Sequence, residues 1–327
     1  MRFLDDAASN EVRNVVVDGA PNAGTVLTLT HWPGIVQPSG LAADLSAQMA
    51  FKFLRRGDDP HADVVTNNHF DQDGLVGIHA LVYPELSLAH EALLVDVAAA
   101  GDFATFRHRE AARASMALHA YGDEARSPIA DQLVGRPYAE QCALLYETTL
   151  PLLLPMVLEP ERFRDLWVDD DASLTASEAA IADGRVTITE HPQVDLAVVH
   201  VPEDEPARSG HRFAHALVHG VHPMALHNAT ECLRILVVHG RRYRYVDRYE
   251  TWVQYRSRLP LSRVDLEPLA TALTAAEPGS AAWSADAPSV LTPELTHTDE
   301  SGLDETTVVE RLVAHLRSAT PAWNPYA

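Results

Sequence analysis

Between Asp63 and Tyr83 the chain changes from the pattern of a buried strand to that of a helix, and it does so through a polar break. Asp63-Val64-Val65-Thr66 is short and apolar, the string NNHFDQDG follows, and Leu75 to Tyr83 carries helical periodicity. Upstream, Val15 to Gly19 and Gly24 to Leu29 read as two short strands, the second running into THWPG. Leu41 to Leu54 reads as a helix that stops at RRGDDP. Ala92-Leu93-Leu94-Val95-Asp96 reads as the next strand, closed by an aspartate. Strand, loop, helix and strand in this order predict an α/β domain with a parallel sheet. Residues 105–166 then read mostly as helices, an insertion or cap.

The acidic run Asp169-Asp170-Asp171 marks the expected boundary. Beyond it a helix at about 173–183, strands at Arg185–Thr189 and Asp195–Val201, and a hairpin over 233–256 are expected, with a closing helix near Glu305 to Arg317. The expected architecture is therefore α/β: a parallel-sheet N-terminal domain with a helical insertion (1–168) and a smaller α+β C-terminal domain (172–327).

Charge narrows the function. The 327 residues hold 25 Lys plus Arg against 46 Asp plus Glu, a formal charge of −21. Such a chain repels polyanions, so bulk nucleic-acid or anionic-membrane binding is not expected, whereas a small phosphorylated substrate held by local cations is allowed. Cys142 and Cys232 form no CxxC pair and suit a reducing compartment. No signal peptide is legible in MRFLDDAASN, and the most apolar stretch, LPLLLPMVL, is too short to span a bilayer. A cytoplasmic protein is expected.

In NNHFDQDG, an extended backbone would turn His69, Asp71 and Asp73 to one side, with Gly74 giving a sharp turn behind them. One imidazole and two carboxylates are donors for a hard cation such as Mn²⁺ or Mg²⁺. Asp96, closing the next apolar run, would complete the set, with Asp102 in reserve. A calcium-loop alignment fails, because Ala80 falls where a bidentate glutamate is needed.

HFDQDG at a strand end, opening a helix, resembles the first motif of the DHH phosphoesterase superfamily. The resemblance covers residues 60 to 102. It implies two Mn²⁺ or Mg²⁺ ions, hydrolysis of a phosphodiester or pyrophosphate, and a second-motif aspartate in the place of Asp96. The Asp-His-His triplet and the GGGH signature of that superfamily do not occur in this chain.

Other features supply the remaining roles. RSGHRFAHALVHGVHPMALHNAT holds His211, His215, His219, His222 and His227; a helix there would gather the first four on one face as a zinc-binding stripe. His227 with Asn228, or His200, are candidates to replace the missing histidine pair in catalysis. RRYRYVDRYETW alternates arginines and aromatics, and reads either as a solvated β-ribbon or as a substrate clamp using Arg242 and Arg248. Arg256, Arg258 and Arg263 are further cations for such a clamp. His31 reads as part of a capped turn packing Trp32, with ligation as the alternative. No GxSxG elbow, GxGxxG or P-loop occurs.

The expected function is a Mn²⁺- or Mg²⁺-dependent phosphoester hydrolase, with a cation-activated water as nucleophile and a small anionic, phosphorylated substrate. A homodimer is left open. The rival expectations are a non-catalytic, regulatory binding protein on the same fold, and a zinc hydrolase built on His211–His227.

Overall fold

The structure, a computed structural model, describes residues 1–204, 220–280, 282–297 and 299–326. The chain forms two compact units: Met1–Asp171 with Tyr255–Ser257, and Ala172–Gln254 with Arg258–Ala327.

The first unit contains strands β1 (Arg2–Phe3), β2 (Asn14–Val17), β3 (Thr25–Leu29) and β4 (Val64–Thr66). Its helices are α1 (Asp6–Ser9), α2 (Ser46–Arg56), α3 (Gln72–Val82), α4 (Pro84–Ala89), α5 (Glu91–Asp102), α6 (Arg109–Gly122), α7 (Ala130–Leu133), α8 (Tyr138–Thr149) and α9 (Leu153–Leu158). Helix α10 (Arg164–Ala182) begins in this unit. The sheet order is β1-β4-β2-β3 and every pairing is parallel, with Val16 opposite both Thr66 and Thr28. β2 and β4 are buried at every position, as parallel strands covered on both faces should be. Because all four strands run the same way, the residues following β2, β3 and β4 leave the sheet at one edge.

Asp96 is a correction. The run Ala92–Asp96 is not a strand but part of helix α5. A five-residue apolar run cannot be assigned by periodicity alone; here the alanine-rich continuation extends it to twelve helical residues, burying Leu94, Val97, Ala98 and Gly101. The acidic run 169–171 lies inside α10 and does not interrupt it.

Helix α3 packs against α2 and α5. Gly77 makes the approach of α3 to the sheet possible, since a Cβ there would stand 2.4 Å from Val17 Cγ1. On α3, the buried His79 ring meets Ser87 Oγ at 2.8 Å. Burial pushes its pKa down to about 4, below its ordinary 6.5. Above pH 6.5 the ring is neutral folded or unfolded; as pH falls toward 4 only the unfolded chain takes up the proton, so stability is lost across that window. Urea melts at pH 7 and pH 4 should show wild type losing roughly 3 kcal/mol more than His79→Gln. An equal loss in the two proteins would remove His79 as the cause.

The second unit is built on a six-stranded mixed sheet. Its strands are β5 (Thr187–His191), β6 (Leu196–Val201), β7 (Arg234–His239) and β8 (Arg242–Asp247), then β9 (Arg263–Val264), β10 (Trp283–Ala285), β11 (Glu294–His297) and β12 (Pro321–Trp323). The large sheet runs β10-β11-β8-β7-β6-β5, with only β6 and β7 parallel, while β9 and β12 form a separate pair. Helices α11 (Pro223–Ala229), α12 (Glu267–Ala276) and α13 (Glu305–Ser318) complete it. Alternate residues of the strands, Leu196, Val198, Leu236, Val238, Tyr243 and Tyr245, share a core with Leu269, Leu273 and Leu312 of α12 and α13. The hairpin's second strand ends at Asp247, because Tyr249–Thr251 forms a 3₁₀ turn. The mixed α/β architecture expected from the sequence is present in both units. Among the described residues no helix is long and apolar enough to cross a membrane.

Candidate metal centre

The parallel sheet delivers donors to its C-terminal edge, where ligands bind in open α/β sheets. Asp18 follows β2, His31 follows β3, and His69 and Asp71 follow β4; Asp73 lies in the first turn of α3, and Asp102 ends α5. Asp18, His31 and Asp73 form one group of ligand atoms, and Asp18, His69 and Asp71 a second; in each the atoms lie within 4.8 Å of one another. Asp18 belongs to both.

His31 Nε2 stands 3.4 Å from Asp18 Oδ1, 3.6 Å from Asp102 Oδ2 and 3.9 Å from Asp73 Oδ2. His31 Nδ1 lies 2.5 Å from the Asp44 carbonyl. A carbonyl only accepts, so the proton is on Nδ1 and, in the neutral ring, a lone pair on Nε2 faces three carboxylates. His69 Nε2 is 2.9 Å from Asp71 Oδ2 and 3.3 Å from Asp18 Oδ2. The Trp32 ring lies against this imidazole, with centroids 5.2 Å apart.

The acids are held from behind. The Ser46 and Ala47 amides, in the first turn of α2, donate to the two oxygens of Asp73 at 2.7 and 2.8 Å, so a distant side chain caps that helix. The Ser46 hydroxyl donates to Asp18 Oδ1 at 2.7 Å. Asp71 is the N-cap of α3 and accepts from the Gly74 amide at 2.8 Å. Gly74 is therefore helical. Its missing side chain makes room for Asn67 Nδ2 and the Tyr146 hydroxyl, which a Cβ would meet at 2.4 and 2.6 Å. Asn67 Nδ2 donates to Tyr146 at 3.0 Å, and Asn67 Oδ1 accepts from the Asn68 amide at 2.7 Å, fixing the turn that carries His69. Asp18 has φ 55°, a left-handed conformation that aspartate tolerates better than most residues and that gathers at functional sites.

The site is nearly closed to bulk solvent. Asp18, His31, Asp71, Asp73 and Asp102 are each at most 4% exposed, whereas the His69 side chain is 18% exposed and marks the side open to solvent. Four carboxylates against two imidazoles leave an excess of two negative charges even with both rings protonated. Burial, aided by Asp18 and Asp71, pushes the Asp73 carboxyl well above the usual carboxylate range, with the Ala47 and Ser46 amides opposing it. Burial would lower the His69 pKa, but Asp71 and Asp18 outweigh it and raise it to about 10. Asp18 Oδ2 is buried yet accepts no well-formed hydrogen bond.

Of the residues expected from the sequence, His69, Asp71 and Asp73 come together, and Asp102 joins them. Asp96 does not. It faces the start of α6, where it accepts from the Arg107 and His108 amides at 2.7–3.0 Å and pairs with the His108 ring. His227 and Asn228 lie on α11 in the second unit. Arg242 is an exposed strand residue paired with Glu300. Arg248 is a further correction to the substrate clamp: it is buried, and its guanidinium serves Glu250 and the Thr230 and Cys232 carbonyls. Within the histidine-rich segment His211, His215 and His219 lie outside the described residues; His222 caps α11 through Nδ1 at 3.1 Å from the Met224 amide.

Asp18 is absent from the ligands expected from sequence. Its signal was Val15-Val16-Val17-Asp18-Gly19, an apolar run closed by an aspartate, the same pattern that pointed to Asp96.

The family model DUF6687, a family of unknown function, matches residues 1–327. The chain belongs to this family. No curated protein and no solved structure matches it.

Proposed function

We propose that this DUF6687 chain is a metal-dependent hydrolase of a phosphoester, a divergent relative of the DHH phosphoesterases. The observation that carries the reading is Asp18, shared by two donor groups and buried with an oxygen that accepts no well-formed hydrogen bond. Two divalent cations with four carboxylates and two neutral imidazoles sum to zero charge, which removes the excess that the protein's own residues leave. His31, Asp73 and Asp102 with Asp18 would hold one cation, and His69 and Asp71 with Asp18 the other. The set is oxygen-rich with two imidazoles and no thiolate, which favours Mn²⁺ or Mg²⁺. Such a cation supplies Lewis acidity, lowering the pKa of a coordinated water and neutralising charge that develops on phosphorus.

The chain's own residues do the rest. The α2 amides and Ser46 orient Asp73 and Asp18, and Asn67 with Tyr146 fixes the loop bearing His69. Asn67 and Asn68 also border a cavity of about 400 Å³ that reaches Phe3, Asp5 and Glu147. This is room for a small substrate, and its acidic lining disfavours one carrying several negative charges.

A chelator-treated chain should gain about 2.7 kcal/mol when Mn²⁺ is supplied at a hundredfold excess over Kd, a rise of several degrees in Tm. The loaded protein should release phosphate or alcohol from simple phosphomonoesters or diesters. No thermal shift with Mn²⁺ or Mg²⁺ would end the cation reading; a shift without turnover on any phosphoester would favour a non-catalytic binding protein. That second reading draws support from Asp73, both of whose oxygens already serve a structural purpose at α2.

A further inference from the structure

The His31 subsite has a second layer that reaches the segment Tyr255–Ser257, which belongs to the first unit although residues on both sides of it belong to the second. Asp44 is the link. Its carbonyl accepts the hydrogen bond from His31 Nδ1–H. Its carboxylate Oδ1 accepts from the Arg256 and Ser257 amides at 2.6 and 2.8 Å, and its Oδ2 accepts from the Ser257 hydroxyl. Two residues on, Ser46 contacts Asp73 and Asp18.

The same segment also touches the residue that follows Asp102. The Tyr255 ring packs edge-on against Phe103, with centroids 5.4 Å apart, and Phe103 directly follows Asp102. Phe103 in turn lies 6.4 Å from the His31 ring. The strap therefore braces the residues behind two donors, His31 and Asp102. Partners of this kind fix which nitrogen of a ligating histidine bears the proton and how the ring is aimed.

We infer that Asp44 is a positioning residue for the His31 subsite: its carbonyl fixes the ring with Nε2 turned onto the acids, and the Tyr255–Ser257 strap fixes Asp44 by its carboxylate. The inference rests on the cation reading above. Releasing the strap loosens the Asp44 carbonyl and with it the aim of Nε2, so one subsite weakens while the other keeps its affinity.

The test is calorimetric titration of the chelator-treated full chain with Mn²⁺, together with ¹⁵N detection of the His31 ring tautomer in the cation-free protein. Wild type should show two sites and a single Nδ1–H tautomer. Asp44→Ala should weaken one site about 10- to 100-fold, leave the other unchanged and mix the tautomers. Asp44→Asn keeps an acceptor oxygen for both amides and should restore the affinity and the single tautomer. Should Asp44→Ala not fold, Ser257→Ala, which removes one hydroxyl, is read the same way with a loss of about threefold. Equal affinities in wild type and variant, or an unchanged tautomer, overturn the inference and leave the cation reading standing. A wild-type chain that takes up no Mn²⁺ overturns both.

Discussion

Asp18→Asn is expected to remove Mn²⁺ from both subsites, lowering affinity at least about a hundredfold in a direct titration. Outer partners of metal ligands already cost 10- to 100-fold when changed, and this residue is a donor to both groups. Asparagine is the informative substitution because the other variables hold still. It tolerates the left-handed backbone at this position, keeps an oxygen for the Ser46 hydroxyl and changes little in volume. The cation-free variant should be at least as stable as the wild type, because one of four crowded carboxylates has lost its charge. The stability added by Mn²⁺ should disappear. Loss of the metal response without loss of the fold is the signature; stoichiometric Mn²⁺ in the purified variant would show that Asp18 is not needed to hold a cation.

The second large effect is on stability and belongs to the second unit. Arg263 is 1% exposed and is the largest fully buried side chain among the described residues. Its guanidinium donates to Thr251 Oγ1 at 2.7 Å and to the Pro288, Val290 and Leu291 carbonyls at 2.5–2.8 Å. Burial pushes its pKa down to about 10, with Asp247 and Tyr245 opposing, yet it stays charged at neutral pH. Arg263→Met fills much of the volume but leaves three carbonyls without their donor and removes the side-chain tie to the 288–291 loop. A loss of about 3–5 kcal/mol is expected in urea unfolding, the range for breaking a buried charged network. A change below about 1 kcal/mol would mean that water replaces the guanidinium at those carbonyls. This role also answers the expectation that Arg263 helps clamp a substrate: its donors are spent inside the fold.

Much of the N-terminal unit could be read locally. The apolar runs at 15–17, 25–29 and 64–66 are strands, and HFDQDG does sit where a strand ends and a helix begins. The donors within that string are close in the chain, so their convergence needed only short-range geometry. Asp96 and Asp18 show where such reading fails. Both close an apolar run, and nothing within five residues tells a strand from the start of a twelve-residue helix. The helix carried Asp96 toward the start of α6 and brought Asp102, six residues later, to the site. Arg248 failed for a different reason: the strand ends at Asp247, and Arg248 lies at the turn beyond it, where the alternation no longer assigns a face.

By itself, then, the amino-acid sequence determined the α/β class, the strand-to-helix junction at residues 66–72 and the metal-capable chemistry of His69, Asp71 and Asp73. Only the tertiary structure decided that Asp18, His31 and Asp102 gather at the same edge, that the α2 amides hold Asp73 and that the His31 Nδ1–H donates to the Asp44 carbonyl. The reason is physical. Parallel strand order and helix packing bring together residues dozens of positions apart, and no local pattern encodes which strand ends become neighbours.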